Sequence, residues 1–180
     1  LIHRFVALSG DLEQWLVGRC GVVPAKVVRI CNGVDTTRYA PRSGARRLLP
    51  PDSCPPSAVV IGTVTRCSEI KDPLNVVRAF VALRQRAAGG PDVRLALLGD
   101  GPLREPALAV LREAGLLEYA WLPGSRDDVA DLVREFDVFV LGSKREGIRK
   151  TVLEAMASGL PVVATATGGN LELVSPGETG

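Results

Sequence analysis

"DVFVLGSKREGIRKTVLEAMASGLPVVAT", Asp137 to Thr165, runs through a strand, a helix and a second strand in one short stretch. "DVFVLG" (137 to 142) and "PVVAT" (161 to 165) are short apolar runs rich in valine, and "TVLEAMASG" between them is a helical segment closed by Gly159. Residues 143 to 149 then form the loop that leaves the carboxyl end of the first strand. The helix beginning near Lys150 or Thr151 points its free backbone N–H groups at the same place.

The same alternation extends outward along the chain. "RFVAL" (4 to 8), "KVVRI" (26 to 30), "AVVIGTV" (58 to 64), "VRLALLG" (93 to 99) and "YAWL" (119 to 122) are further apolar runs, of the kind that suits strands covered on both faces. Helical segments separate the later ones. Asp72 and Pro73 read as an N-cap and a first-turn proline, Leu74, Val77 and Val81 recur on one face, and Gly89, Gly90 and Pro91 stop the helix. "PLREPALAVLREAG", ending at Gly115, and "DDVADLVREF" continue the pattern. The expectation is an α/β fold: a doubly wound, parallel, Rossmann-like sheet that binds its ligand at the carboxyl ends of its strands.

Composition sets the outer limits. A chain of 180 residues, 46% hydrophobic, has enough apolar side chains for one full core, or for one domain and a piece of another. With 22 basic and 20 acidic residues the net charge is +2, too small to mark a nucleic-acid partner. Cys20, Cys31, Cys54 and Cys67 show no C-x-x-C spacing and His3 is the sole histidine, so neither a zinc site nor a Cys/His pair is expected. They read as reduced thiols of a cytosolic protein, and no run approaches the roughly 18 apolar residues of a membrane span.

One segment interrupts the alternation. "RSGARRLLPPDSCPPS", residues 42 to 57, is rich in proline and arginine and has no apolar period, which reads as a connector with stiff stretches. The expected domains are therefore 1–41, a strand-helix-strand remnant of one domain, 42–57, a linker, and 58–180, an incomplete second domain. Leu1 stands where an initiator methionine is expected and "SPGETG" ends in a turn, so the sequence reads as a piece of a longer protein, truncated at both ends.

Two constellations carry the chemistry. Glu146 in the loop and Glu154 one turn into the helix, on the face of Lys150 and Thr151, flank an anion site at the helix start. A nucleoside diphosphate with a ribose at one end and a sugar at the other fits between them, although both glutamates also read as solvated charges near a helix start. Arg66 and Lys71, in "GTVTRCSEIKD", follow another strand of the same sheet. A planar fork and a point charge suit phosphate oxygens, although a basic pair in a loop is more often an ordinary surface feature.

Taken with "NGVD" (32 to 35), "LLGDGPLR" (97 to 104) and "EGIRKTVLEAMASGLPVVATATGGNLELV" (146 to 174), these stretches resemble the retaining glycosyltransferases of the GT-B fold, in the large group 1 or family 4. The last stretch is most similar to the exosortase-associated sugar transferases of exopolysaccharide synthesis. The resemblance implies the donor-binding half of a GT-B enzyme, with Arg66, Lys71 and Glu146 as the catalytic group. In it Glu146 holds sugar hydroxyls, Glu154 the ribose, and Arg66 with Lys71 the diphosphate. The implied donor-binding set adds Gly62, Gly124, Arg126, Gly147, Ile148, Arg149, Lys150 and Thr151. The donor is a nucleotide sugar, the acceptor a glycan or lipid-linked molecule, and neither cofactor nor metal is implied. The resemblance places the enzyme in the cytoplasm, with room for peripheral contact at the inner membrane face through the other domain.

Departures from the family pattern fall beside the implied diphosphate. Arg149 and Lys150 stand where small or polar residues are usual, Thr65 replaces a glycine, and Cys67 replaces a leucine. The two basic residues either add to anion binding or crowd it. "GDGPLR" is no dinucleotide fingerprint, because Arg104 stands at the third glycine position and no acidic residue follows at the required distance. The remaining alternatives are a sugar-nucleotide epimerase on the same scaffold and a nucleotide-sugar binding fragment. The 180-residue chain by itself is expected to bind donor without transferring sugar.

Overall fold

The computed structural model describes residues 2–86, 89–146 and 150–180. Two parallel sheets are present. Strands β1 (Phe5–Ala7) and β2 (Val27–Arg29) flank helix α1 (Gly10–Gly18) and pair only with each other. The second sheet contains β3 (Val59–Val64), β4 (Val93–Leu98), β5 (Ala120–Gly124), β6 (Val138–Leu141) and β7 (Val162–Ala164) in the spatial order β5-β4-β3-β6-β7, all parallel. Helices α2 (Pro73–Arg86), α3 (Arg104–Glu113), α4 (Val129–Val133), α5 (Lys150–Ala157) and α6 (Asn170–Leu173) complete the chain.

The alternation of side chains along the strands divides the core in two. Leu95 and Leu97 of β4 face α2 and α3, packing with Val76, Val77, Phe80, Ala107 and Leu111. Ala96 and Leu98 face the other way, with Val60 and Phe139, against Leu132, Val152 and Ala155 of α4 and α5. Both faces are covered, which is why the strands read as continuous apolar runs. The chain winds outward from β3 to β5, then returns to place β6 on the other side of β3. The crevice above β3 and β6 is thus the topological switch point.

Helix α2 and its start differ from the sequence expectation in two details. Helix α2 turns Val76, Val77 and Phe80 most deeply inward, while the expected Leu74 and Val81 lie half-buried at the flanks of the same core. Asp72 does precede Pro73, but its backbone is left-handed (φ 43°) and its carboxylate lies 3.5 Å from Lys144 Nζ. It ties two loops together, whereas an N-cap residue normally has extended backbone.

Residues 42–57 contain neither helix nor strand, and they are fastened along the five-stranded sheet. Arg46 is buried, donating from Nε to the Glu135 carbonyl (2.8 Å) and from Nη1 to the Ala58 carbonyl (2.8 Å), and it pairs with Asp137. Glu135 answers with its side chain, accepting from the backbone N–H of Arg47 at 2.7 Å. Leu49 and Cys54 enter the core beside Val60 and Phe136, and burial pushes the Cys54 thiol up to about 11. All four cysteines are free thiols. Among the described residues, no helix is long and apolar enough to cross a membrane.

Candidate functional site

The loop after β3 carries Arg66 and Lys71, and its shape is set by the glycines of the loop after β4. Thr65 N–H donates to the Leu98 carbonyl, Cys67 N–H to the Asp100 carbonyl, and Leu103 N–H to the Cys67 carbonyl, each at 2.9 Å. So close an approach needs glycine at two places. A Cβ on Gly99 (φ 129°) would stand 1.9 Å from the Thr65 oxygen, and one on Gly101 (φ 145°) 2.6 Å from the Cys67 oxygen. Cys67 is fully buried in this clamp, its thiol pushed up by burial and then by Asp100. A small side chain suits that space.

The loop after β6 is held from the other side. Thr165 Oγ1 donates to the Ser143 carbonyl at 2.6 Å, and Gly168 (φ 52°) lies so close to Glu146 that an added Cβ would stand 1.8 Å from its carbonyl oxygen. Lys144 N–H donates to the Ile70 carbonyl at 2.9 Å, joining the two loops. Lys71 Nζ and Glu146 Oε2 then meet at 2.9 Å, with the glutamate side chain only 1% exposed.

These loops open onto a cavity of about 610 Å³. Its walls include Thr65, Arg66 and Lys71 from the β3 exit, Gly99 and Asp100 from the β4 exit, Ser125 beyond β5, and Thr151 from the first turn of α5. Arg66 is exposed at its rim. Thr151 Oγ1 is buried and has no hydrogen-bond partner among the described residues. A buried hydroxyl left unmatched beside two cations and a helix N-terminus is an arrangement that an anionic, oxygen-rich ligand completes. Among the described residues no group of three or more His, Cys, Asp or Glu is placed to hold a metal ion.

The structure brings together Arg66, Lys71, Glu146 and Thr151, and places Glu154 one helical turn beyond Thr151, half-buried. Lys150 is exposed at the start of α5. Gly124 (φ 86°) closes β5, accepts from Gly99 N–H at 2.9 Å and faces Asp100. Arg126 is bound to Asp128 through two hydrogen bonds of 2.9 and 2.7 Å, which hold that carboxyl below the usual carboxylate range. Gly62 serves packing: a Cβ there would lie 1.9 Å from the Phe136 ring, and the residue is absent from the cavity wall. Gly147, Ile148 and Arg149 lie outside the described residues. Reading by motif missed Gly99, Asp100 and Ser125 as wall residues. The glycines of "GDG" at a strand end were the available signal.

Comparison with known proteins gives the relatives of this arrangement. The family described as glycosyl transferases group 1 matches residues 55–180. D-inositol 3-phosphate glycosyltransferase of Actinosynnema mirum is 34% identical, over 98% of this chain and 44% of its own length. WcaL of Salmonella typhimurium, named for a glycosyltransferase of colanic acid biosynthesis, is 33% identical over 94% of this chain and 41% of its own. The chain thus spans about two fifths of the length of these relatives. Among solved structures, HepE of Anabaena in complex with UDP and glucose superposes with a TM-score of 0.80 at 23% identity, over 97% of this chain and 47% of that one. The shared fold is that of one half of a GT-B enzyme. The family match over most of the chain, on a sheet whose switch point carries the expected cations and glutamate, shows that the chain belongs to the group 1 glycosyl transferases.

Proposed function

We propose that this chain supplies the nucleotide-sugar site of a retaining glycosyltransferase, one that acts on a glycan or lipid-linked acceptor in exopolysaccharide or cell-surface glycan synthesis. The observation that carries the reading is the convergence of Arg66, Lys71 and the unmatched Thr151 hydroxyl on one cavity at the switch point. HepE, whose fold matches, was solved with UDP and glucose, and WcaL is named for colanic acid biosynthesis, so both support the substrate class. In this reading residues 58–180 hold the donor, and residues 1–41 belong to the acceptor side.

The chemistry follows from the charges. When the bond between the anomeric carbon and the diphosphate breaks, negative charge builds on the departing oxygen. Arg66, Lys71 and the first amides of α5 stand where that charge develops. Retention is met if the acceptor hydroxyl attacks on the face from which the diphosphate leaves: its oxygen bonds to the anomeric carbon, and its proton passes to the departing phosphate oxygen. Glu146 orients the sugar hydroxyls, and its bond to Lys71 holds both side chains in place beforehand. Glu154 receives the ribose diol.

The division between the two glutamates gives the test. Glu154→Gln is expected to weaken the preferred nucleoside diphosphate and its sugar conjugate alike, by about tenfold, the size of one lost charge-assisted hydrogen bond. Glu146→Gln is expected to spare the diphosphate and weaken the conjugate only. Calorimetric titration of both ligands against both variants of the full-length protein checks this, and equal losses across all four pairings would overturn the assignment.

A further inference from the structure

The amino end of α1 is closed by a residue from the far end of the chain. The first amides of a helix have no partner within it. Ser9 takes Leu12 N–H on its hydroxyl (3.1 Å) and Glu13 N–H on its carbonyl (3.0 Å). The two amides that remain are taken by Glu172, 162 residues from Gly10, whose Oε1 accepts from Gly10 N–H at 2.8 Å and from Asp11 N–H at 3.3 Å. A carboxylate there also faces the positive pole of the helix. Its Oε2 lies 3.8 Å from Arg29 Nη1, at the end of β2. So exposed an ion pair adds little binding by itself, and the two amide bonds carry the contact. Gly10 leaves the room for it: a Cβ there would stand 2.9 Å from Arg29 Nη1 and 3.4 Å from Glu172 Oε1.

The other side of Glu172 leads to the loop of Glu146. Asn170 is 2% exposed and donates from Nδ2 to the Thr165 carbonyl at 3.1 Å, which bolts α6 to the exit of β7. Thr165 is bonded in turn to the Ser143 carbonyl, and Gly168 presses on the Glu146 carbonyl. Glu172 N–H donates to the Gly169 carbonyl at 3.2 Å, so the residue stands one short turn from that contact. Close-packed contacts of this kind pass a displacement on instead of absorbing it. The line from the candidate sugar ligand to α1 runs through Gly168, α6 and Glu172.

We propose that Glu172 is a positioning residue for sugar transfer, a clasp that holds α1 and the β1–β2 sheet to the donor cavity when the sugar end of the donor engages Glu146. The inference rests on the readings of Glu146 as the sugar ligand and of residues 1–41 as the acceptor side. A sugar bound at Glu146 orders the loop that Gly168 touches. With α6 ordered in turn, the carboxylate stays on its two amides with less loss of side-chain freedom. A ligand shifts such an equilibrium only by its differential affinity for the clasped state. A nucleoside diphosphate carries no group for Glu146, so it leaves the clasp as it was. The acceptor side is thereby held firmly over a loaded donor and loosely over the departed diphosphate.

The test is hydrogen exchange resolved to single amides, in the full-length protein and in its Glu172→Ala and Glu172→Gln forms. Each is followed free, with UDP, GDP or ADP, and with UDP-glucose, GDP-mannose or ADP-glucose. In the parent, the conjugate that binds is expected to slow the Gly10 and Asp11 amides about fivefold, the scale of one hydrogen bond, and its diphosphate to slow them less than about twofold. Glu172→Ala should speed both amides and abolish their response to the conjugate, while the Leu12 amide, held by Ser9, changes by less than about twofold. Glu172→Gln keeps an acceptor oxygen and should keep part of the response. Equal slowing by conjugate and diphosphate would overturn the inference, as would an undiminished response in Glu172→Ala or a loss of protection spread over the five-stranded sheet. Binding of the conjugate without any change at the two amides would overturn the clasp and leave the donor site standing. If the parent binds none of the six compounds, the donor reading itself is overturned and Glu172 loses its role with it.

Discussion

Alanine in place of Arg66 or Lys71 is expected to slow sugar transfer by the full-length protein by about 100- to 1000-fold, the usual loss when one donor to a developing charge is removed. Both side chains line the cavity, but their surroundings differ. Arg66 is exposed and its replacement should leave the fold untouched. Lys71 is bonded to Glu146, a carboxylate that is 1% exposed, so Lys71→Ala also takes a cationic partner from a buried anion. The lysine variant is therefore expected to lose thermal stability as well as rate. Adding Glu146→Gln to Lys71→Ala should restore the stability and not the rate. Steady-state turnover with saturating donor, run beside thermal melts, separates the two effects. Parental rates in both alanine variants would refute the phosphate assignment.

Gly99→Ala is expected to destabilise the protein by about 2 to 6 kcal/mol, combining backbone strain of about 1 to 3 with overpacking of about 1 to 3. The residue has φ 129°, and its new methyl would stand 1.9 Å from the Thr65 carbonyl oxygen, a backbone atom that cannot turn aside. The upper end of that range rivals the whole stability of many domains. Gly115→Ala is the matched control, because Gly115 has φ 67° but nothing within 4 Å of an added Cβ. It should show the strain without the collision. Denaturant midpoints of the two variants give the comparison, and similar losses in both would mean that the clamp between the β3 and β4 exits yields easily. Donor affinity should fall with Gly99→Ala as well, since the loop that moves is the one carrying Arg66.

The sheet was legible in the sequence because its strands are covered on both faces and so appear as mostly apolar runs, such as Val59–Val64 and Val93–Leu98. The cations and glutamates were legible because each follows a strand or opens a helix, and sequence order places those ends at one edge of a parallel sheet. What stayed hidden depends on distance in space. Asp100 joins the cavity because the Gly99–Gly101 turn presses on the loop of Arg66, an approach that no spacing records. Gly62 entered the donor-binding set only through the family resemblance, and its lack of a side chain answers to Phe136. Residues 42–57 have the composition of a free connector, and only the positions of the Glu135 and Ala58 carbonyls show why an arginine is buried there.

The fastening of Arg46 to Glu135 and Ala58 has a consequence for how this chain can change over generations. Surface coil ordinarily accepts inserted or deleted residues with little effect. Here the coil is gripped at both ends, by Arg134 at the Arg38 carbonyl and by the amino-terminal edge of the sheet at Arg46, so its length acts as a gauge. One residue more or less between them would shift the chain by about 3.8 Å, farther than a hydrogen bond reaches. Substitutions can accumulate in this stretch, but its residue count is fixed by the two ends it has to meet.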